Sequence, residues 1–204
     1  PYTTLFRSLF RGIQYYSLKK NVRKCVVCKN KLYKKCLTEN CEKMRIRKKP
    51  VLLTGKNQES PMIFGMLHPA IVLPKTEYSE KEVNLIIRHE LFHYQKRDLW
   101  YKFFLMAVCD LYWFNPVLLL MKKQAYQDLE CVCDEVVLKN LPIEDKKLYA
   151  EMILRGMSQK KQLNDRAAAF LFEEKEAAKD RIRAMFQNKM RRGYIGLILC
   201  VFLL

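Results

Sequence analysis

The chain has 204 residues, enough for one domain with a core of its own. Its 38 Lys and Arg outweigh 21 Asp and Glu, and the formal charge of +17 points to nucleic acid, anionic lipid or the cytoplasmic side of a membrane. No internal repeat or low-complexity stretch occurs, which excludes solenoid and array architectures.

Residues 1–8, Pro1-Tyr2-Thr3-Thr4-Leu5-Phe6-Arg7-Ser8, read as the translation of a common sequencing-adapter end and are expected to be an artefact. Residues 9–18 read as the end of an upstream membrane helix, interrupted by Arg11. A basic cluster follows, from Lys19 and Lys20 through Arg23, Lys24, Lys29, Lys31, Lys34 and Lys35 to Arg45, Arg47, Lys48 and Lys49. Cys25, Cys28, Leu32 and Cys36 fall at i, i+3, i+7 and i+11, the spacing of one helix face. Between 46 and 76, Val51-Leu52-Leu53, Met62-Ile63-Phe64 and Ala70-Ile71-Val72-Leu73 are short apolar runs punctuated by Gly and Pro, predicting a small sheet.

Ser79 with Glu82 forms a capping box, and the apolar spacing predicts a helix to about Lys96. Residues 99–121 are strongly apolar, with Asn115-Pro116 as a break. Helices are predicted over about 117–139, 143–158 and 165–189. Residues 193–204 are apolar, follow Lys189, Arg191 and Arg192, and are shorter than the roughly 20 residues a span needs. They read as the start of a truncated transmembrane helix, and the basic residues before it place the 19–192 domain in the cytoplasm. In that reducing compartment the eight cysteines are expected as free thiols.

His89-Glu90-Leu91-Phe92-His93 is an H-E-x-x-H string inside the capped helix. A spacing of four sets both imidazoles on one face, one turn apart, where they can bind a single zinc. Only three His occur in the chain, and two stand here. Glu90 projects beside them as the catalytic base: it would take the proton as water attacks a peptide carbonyl and pass it to the leaving amine.

Glu130 and Asp134 lie four apart on a later predicted helix, and an E-x-x-x-D helix after H-E-x-x-H resembles the gluzincin pattern. That resemblance implies Glu130 as the third zinc ligand and Asp134 as the residue that orients a motif histidine. Asp98, five residues after His93, is expected to make a structural salt link or to support a ligand from behind.

Further strings appear in order. Ser60-Pro61 through Pro74, Arg88-His89-Glu90-Leu91-Phe92-His93 to Asp98, Trp113-Phe114-Asn115-Pro116, Glu130-Cys131-Val132-Cys133-Asp134-Glu135, then Tyr149-Ala150-Glu151 and Lys179-Asp180-Arg181-Ile182 are similar to segments of the BlaR/MecR family of membrane metalloproteases. The resemblance implies an α+β, mostly helical fold: a zincin-type metalloprotease core with a small strand layer, flanked by transmembrane helices. It implies one Zn2+, a multi-pass protein of the cell membrane with its protease domain facing the cytoplasm, and hydrolysis of peptide bonds in signalling. The substrate would be the chain itself or a transcriptional repressor, in antibiotic-resistance signalling. Two other readings stand beside it, a general membrane protease resembling the HtpX and CAAX-processing group and a non-catalytic signalling scaffold. Membrane lipids are expected partners, direct nucleic-acid binding is not, and homodimerisation stays open.

Cys25, Cys28, Cys36 and Cys41 could form a second zinc site, with a buried thiol face as the simpler reading. Cys131 and Cys133 need no role beyond packing. His68 is expected in a surface loop. Tyr112, Trp113 and Phe114 are expected in core packing or at a membrane interface rather than as a substrate wall.

Overall fold

The computed structural model describes residues 2–56, 58, 60–163 and 168–187. Chain order is α1 (Tyr2–Arg23), β1 (Val26–Val27), α2 (Lys31–Lys43), β2 (Val51–Gly55), β3 (Met62–Phe64), β4 (Ala70–Pro74), α3 (Glu80–Lys96), α4 (Asp98–Leu111), α5 (Pro116–Leu138), α6 (Ile143–Leu163) and α7 (Ala168–Gln187). The class is mostly helical α+β with one small sheet.

The sheet runs in the order β1-β2-β4-β3. β2 and β4 are parallel, with Leu53 opposite Val72, while β3 returns antiparallel to β4 with Ile63 opposite Ile71. β4 is buried along its whole length. That explains its unbroken apolar run, since a strand covered on both faces has no solvent side to alternate towards. The β3–β4 turn needs Gly65: its φ is +89°, and a side chain there would collide with the His68 carbonyl. His68 itself is exposed in that turn.

The expected helix through Cys25, Cys28 and Cys36 is broken. α1 stops at Arg23, and the β-branched pair Val26-Val27 extends along β2, with Val26 opposite Thr54. Asn30 then starts a new helix, its side chain accepting from the amides of Leu32 and Tyr33. The thiols remain largely internal: Cys28, Cys36 and Cys41 are buried in the core beside α3. Among the described residues the four N-terminal cysteines do not gather three ligand atoms at one point.

α3 is the axis of the molecule. Ser79 and Glu82 close its capping box, with Glu82 Oε2 accepting from the Ser79 amide at 2.8 Å. Arg155 of α6 donates to Glu82 Oε1 at 2.6 Å, tying α6 to the same helix end. One face of α3, through Val83, Ile87 and Leu91, packs on the sheet and α2. The opposite face, through Leu85 and Phe92, packs on Cys133, Val137 and Leu138 of α5 and Tyr149 of α6. Both clusters meet on one helix, so its polar side chains between the two stripes are held by packing from both sides.

Arg97 joins α3 to α4 in a left-handed conformation (φ 59°), its amide bonding back to the carbonyls of His93 and Tyr94. This reversal takes a single residue, and it puts Asp98 back against the helix it has just left. α5 begins at Pro116 with Asn115 as its cap, Asn115 Oδ1 accepting from the Val117 amide.

The far end of the α4–α5 hairpin is apolar and exposed. Phe104 and Leu120 are 67% and 68% accessible, and Tyr112, Trp113 and Phe114 are exposed as well. The expected core packing of that aromatic trio does not occur, because the chain turns there with nothing among the described residues to cover it. α1 likewise exposes Leu5, Phe6, Leu9, Phe10 and Ile13. Among the described residues no helix is long and apolar enough to cross a membrane. The apolar run at 193–204 lies outside the described residues.

Candidate metal centre

His89 and His93 stand on one face of α3, with their Nε2 atoms 3.0 Å apart. Glu130 of α5 faces both: Oε2 is 3.5 Å from His89 Nε2 and Oε1 is 3.6 Å from His93 Nε2. Two imidazole nitrogens and a carboxylate therefore converge within one ion's reach. A tetrahedral zinc with bonds of about 2.0–2.1 Å separates its ligand atoms by roughly 3.3 Å, so the three donors already stand near that spacing.

The back of each ring is held by an acid. Asp98 Oδ2 lies 2.6 Å from His93 Nδ1, and both groups are buried. Asp134 Oδ1 is 3.4 Å from His89 Nδ1, but the tighter path runs through Tyr149. The Tyr149 hydroxyl donates to Asp134 Oδ1 at 2.7 Å and stands 2.7 Å from His89 Nδ1. A phenol has one proton to donate, so with that proton on Asp134 the oxygen accepts from His89 Nδ1–H. Asp98 in the same way accepts from His93 Nδ1–H. Both neutral tautomers then carry their lone pair on Nε2, towards Glu130.

Arg181 of α7 locks the acid side. Its Nε and one terminal nitrogen donate to the two oxygens of Asp134 at 2.7 and 2.8 Å. Its other terminal nitrogen is 3.5 Å from Glu130 Oε2. Lys102 of α4 donates to Glu130 Oε1 at 3.2 Å.

These contacts set the charges of the metal-free site. Burial works to lower His93, but Asp98, Cys133 and Glu130 overcome it and raise the imidazole to about 11. Burial works against charge on His89 too, yet Tyr149, Asp134, Cys133 and Glu130 hold it well above its usual value. Burial alone would raise Glu130; the two imidazoles and Arg181 instead keep it well below the carboxylate range. Asp134 is lowered, with burial outweighed by Arg181 and His89. Burial pushes the Tyr149 phenol up, which keeps it a proton donor at any ordinary pH.

Cys133 is fully buried, with Sγ 3.1 Å from His89 Nδ1. His89, His93 and Cys133 thus form another group able to approach one ion. The sulfur, however, sits on the Nδ1 side of His89, whereas Glu130 faces the Nε2 atoms of both rings.

Of the residues singled out in the sequence, His89, His93 and Glu130 stand together here, Asp98 and Asp134 lie behind the rings, and Glu90 is buried beside His89 on α3. Sequence spacing missed the parts played by Tyr149, Arg181, Lys102 and Cys133. Tyr149 and Arg181 lay inside strings noted only for their similarity to family segments, and neither has a fixed spacing from the motif that could signal contact.

A family model described as BlaR1 peptidase M56 matches residues 4–185. The chain belongs to that family. Among curated relatives of the M56 chain, the regulatory protein BlaR1 of Bacillus licheniformis is 32% identical over 173 residues, 82% of this chain and 28% of the relative. The methicillin resistance mecR1 protein of Staphylococcus aureus is 34% identical over 146 residues, 69% of this chain and 25% of the relative. The mecR1 protein of Staphylococcus epidermidis matches over the same 146 residues at 34%. The M56 chain therefore spans about a quarter of the length of these relatives.

Proposed function

We propose that this chain is the peptide-cleaving portion of a BlaR/MecR-type signalling protein, a zinc-dependent endopeptidase with His89, His93 and Glu130 as metal ligands and Glu90 as base. The observation that carries this reading is the convergence of His89 Nε2, His93 Nε2 and the Glu130 carboxylate at 3.0–3.6 Å. Membership of a peptidase family supports it. A bound zinc would supply a Lewis acid that polarises the scissile carbonyl and makes water nucleophilic near neutral pH.

The chain's own residues do the rest. Asp98 and the Tyr149–Asp134 pair hold the two imidazoles with their lone pairs forward. Arg181 keeps Asp134 ionised and in place. Glu90 takes the water proton and returns it to the departing amine. The free edge of β3, which has no further strand beyond it among the described residues, offers backbone groups to an extended peptide.

The substrate class we favour is a cytoplasmic protein, either a transcriptional repressor or a site in the same polypeptide. Placement at a membrane accounts for the exposed apolar side chains of α1 and the α4–α5 tip, together with the charge of +17. The test is proteolysis of a denatured-protein peptide library by the zinc-loaded chain. Cleavage should stop with a chelator and in Glu90→Gln, while Glu90→Gln keeps its zinc. Wild-type rates in zinc-loaded Glu90→Gln would remove Glu90 from the chemistry.

A further inference from the structure

Hydrolysis of an amide creates a negative charge for which the residues above provide no partner. As the water oxygen bonds to the carbonyl carbon, the π pair moves onto the carbonyl oxygen and the water proton goes to Glu90. A group that donates to that oxygen lowers the barrier, and removing one such donor typically costs about 10²–10³ in rate.

Lys102 is the cation placed for this. It sits on α4 with its side chain 29% accessible, at the rim of the metal centre. Its Nζ is 3.2 Å from Glu130 Oε1, the oxygen that also faces His93 Nε2. The ammonium is not loosely tethered. It lies 5.6 Å from the centre of the Tyr126 ring, and the Tyr126 hydroxyl donates to the Lys102 carbonyl at 3.3 Å. One aromatic residue thus fixes both the backbone and the charged end of Lys102.

Arg181 is another cation near Glu130, but it is committed. Two of its nitrogens are spent on Asp134, and it approaches the opposite carboxylate oxygen. Lys102 has three N–H groups and gives one to Glu130, so it can reach a second oxygen without leaving the first.

We infer that Lys102, held by Tyr126, is a catalytic residue that stabilises the oxyanion formed on the substrate carbonyl. This rests on the metallopeptidase reading, and its test needs no substrate. The full chain is loaded with cobalt(II), and acetohydroxamate, a small anion directed at open metal positions, is titrated by visible absorption. Wild type, Lys102→Gln, Lys102→Arg and Tyr126→Leu are compared at measured cobalt content, with circular dichroism as a check on folding.

Lys102→Gln and Tyr126→Leu should bind acetohydroxamate about tenfold or more weakly at wild-type cobalt content, with Lys102→Arg recovering most of the loss. Equal anion affinity in wild type and Lys102→Gln would overturn the role of Lys102 and leave the metal centre standing. Tighter cobalt binding in Lys102→Gln with unchanged anion affinity would do the same, making Lys102 only a counter-ion to Glu130. A well-folded wild type that takes up no cobalt would overturn the metallopeptidase reading itself. Should Lys102→Gln fail to fold, Lys102→Arg and Tyr126→Leu decide the matter.

Discussion

Asp98 Oδ2 and His93 Nδ1 meet at 2.6 Å although Asp98 stands five positions further along the chain, past a helix break. The contact exists because Arg97 takes a left-handed conformation and turns α4 back on α3. Asp98 thereby fixes which nitrogen of His93 faces Glu130. Asp98→Asn should weaken zinc binding by about 10–100-fold while leaving the fold intact, since an acid behind a ligating imidazole typically contributes that much. Competition with a chromophoric chelator measures it; unchanged affinity would make the pair purely structural.

Tyr149 should prove as important as the acid it serves. Tyr149→Phe removes the hydroxyl between His89 and Asp134, leaving buried Asp134 one donor short. An unsatisfied buried polar group costs about 1–3 kcal/mol. Denaturant unfolding of the metal-free variant should show a loss in that range, with zinc affinity lowered as His89 loses its orientation.

Metal-free stability and metal affinity should run in opposite directions with pH. His93, raised to about 11, and His89, raised well above its usual value, bind protons more tightly folded than unfolded. Their stabilisation is fully present below the unfolded value of about 6.5 and is lost as pH rises through the folded values. The stability advantage of metal-free wild type over His93→Gln should therefore shrink between about pH 6.5 and pH 10. Zinc must displace those protons, so its affinity should rise over the same interval. Calorimetry in buffers of different ionisation enthalpy should show proton release on binding; a pH-independent affinity would contradict the assignment.

The capping box offers a control remote from the metal. Ser79→Ala removes the acceptor for the Glu82 amide. It should cost about 1 kcal/mol. For a chain of this size that is a fall in Tm of roughly 2–4 °C. Zinc content should not change.

Much of this arrangement was legible in the sequence because it is local. The Ser79–Glu82 cap, the one-turn spacing of His89 and His93, and the Gly- and Pro-bounded strands each depend on residues a few positions apart. Strands β2, β3 and β4 and helix α3 accordingly lie where the apolar runs and the cap put them, whereas β1 does not. The Cys25–Cys36 stretch failed for a reason of the same scale. Its helical spacing was real, but Asn30 prefers to cap a helix and Val26-Val27 prefer a sheet edge, and those preferences broke the run. What spacing could not reveal is contact between distant helices. Tyr149, Arg181 and Lys102 reach the centre from α6, α7 and α4, and only the packing of these helices around α3 and α5 brings them together. For the aromatic trio Tyr112, Trp113 and Phe114 composition left core packing and a membrane interface both open, and the hairpin turn at Asn115-Pro116 carries it outward, away from the core.

The most direct test is zinc per chain, by elemental analysis, in wild type and Glu130→Ala. The account predicts close to one zinc in the wild type and strong loss in the variant. A well-folded wild type without zinc, or unchanged zinc in Glu130→Ala, would contradict it, the latter by giving the third ligand to another residue, with Cys133 first in line.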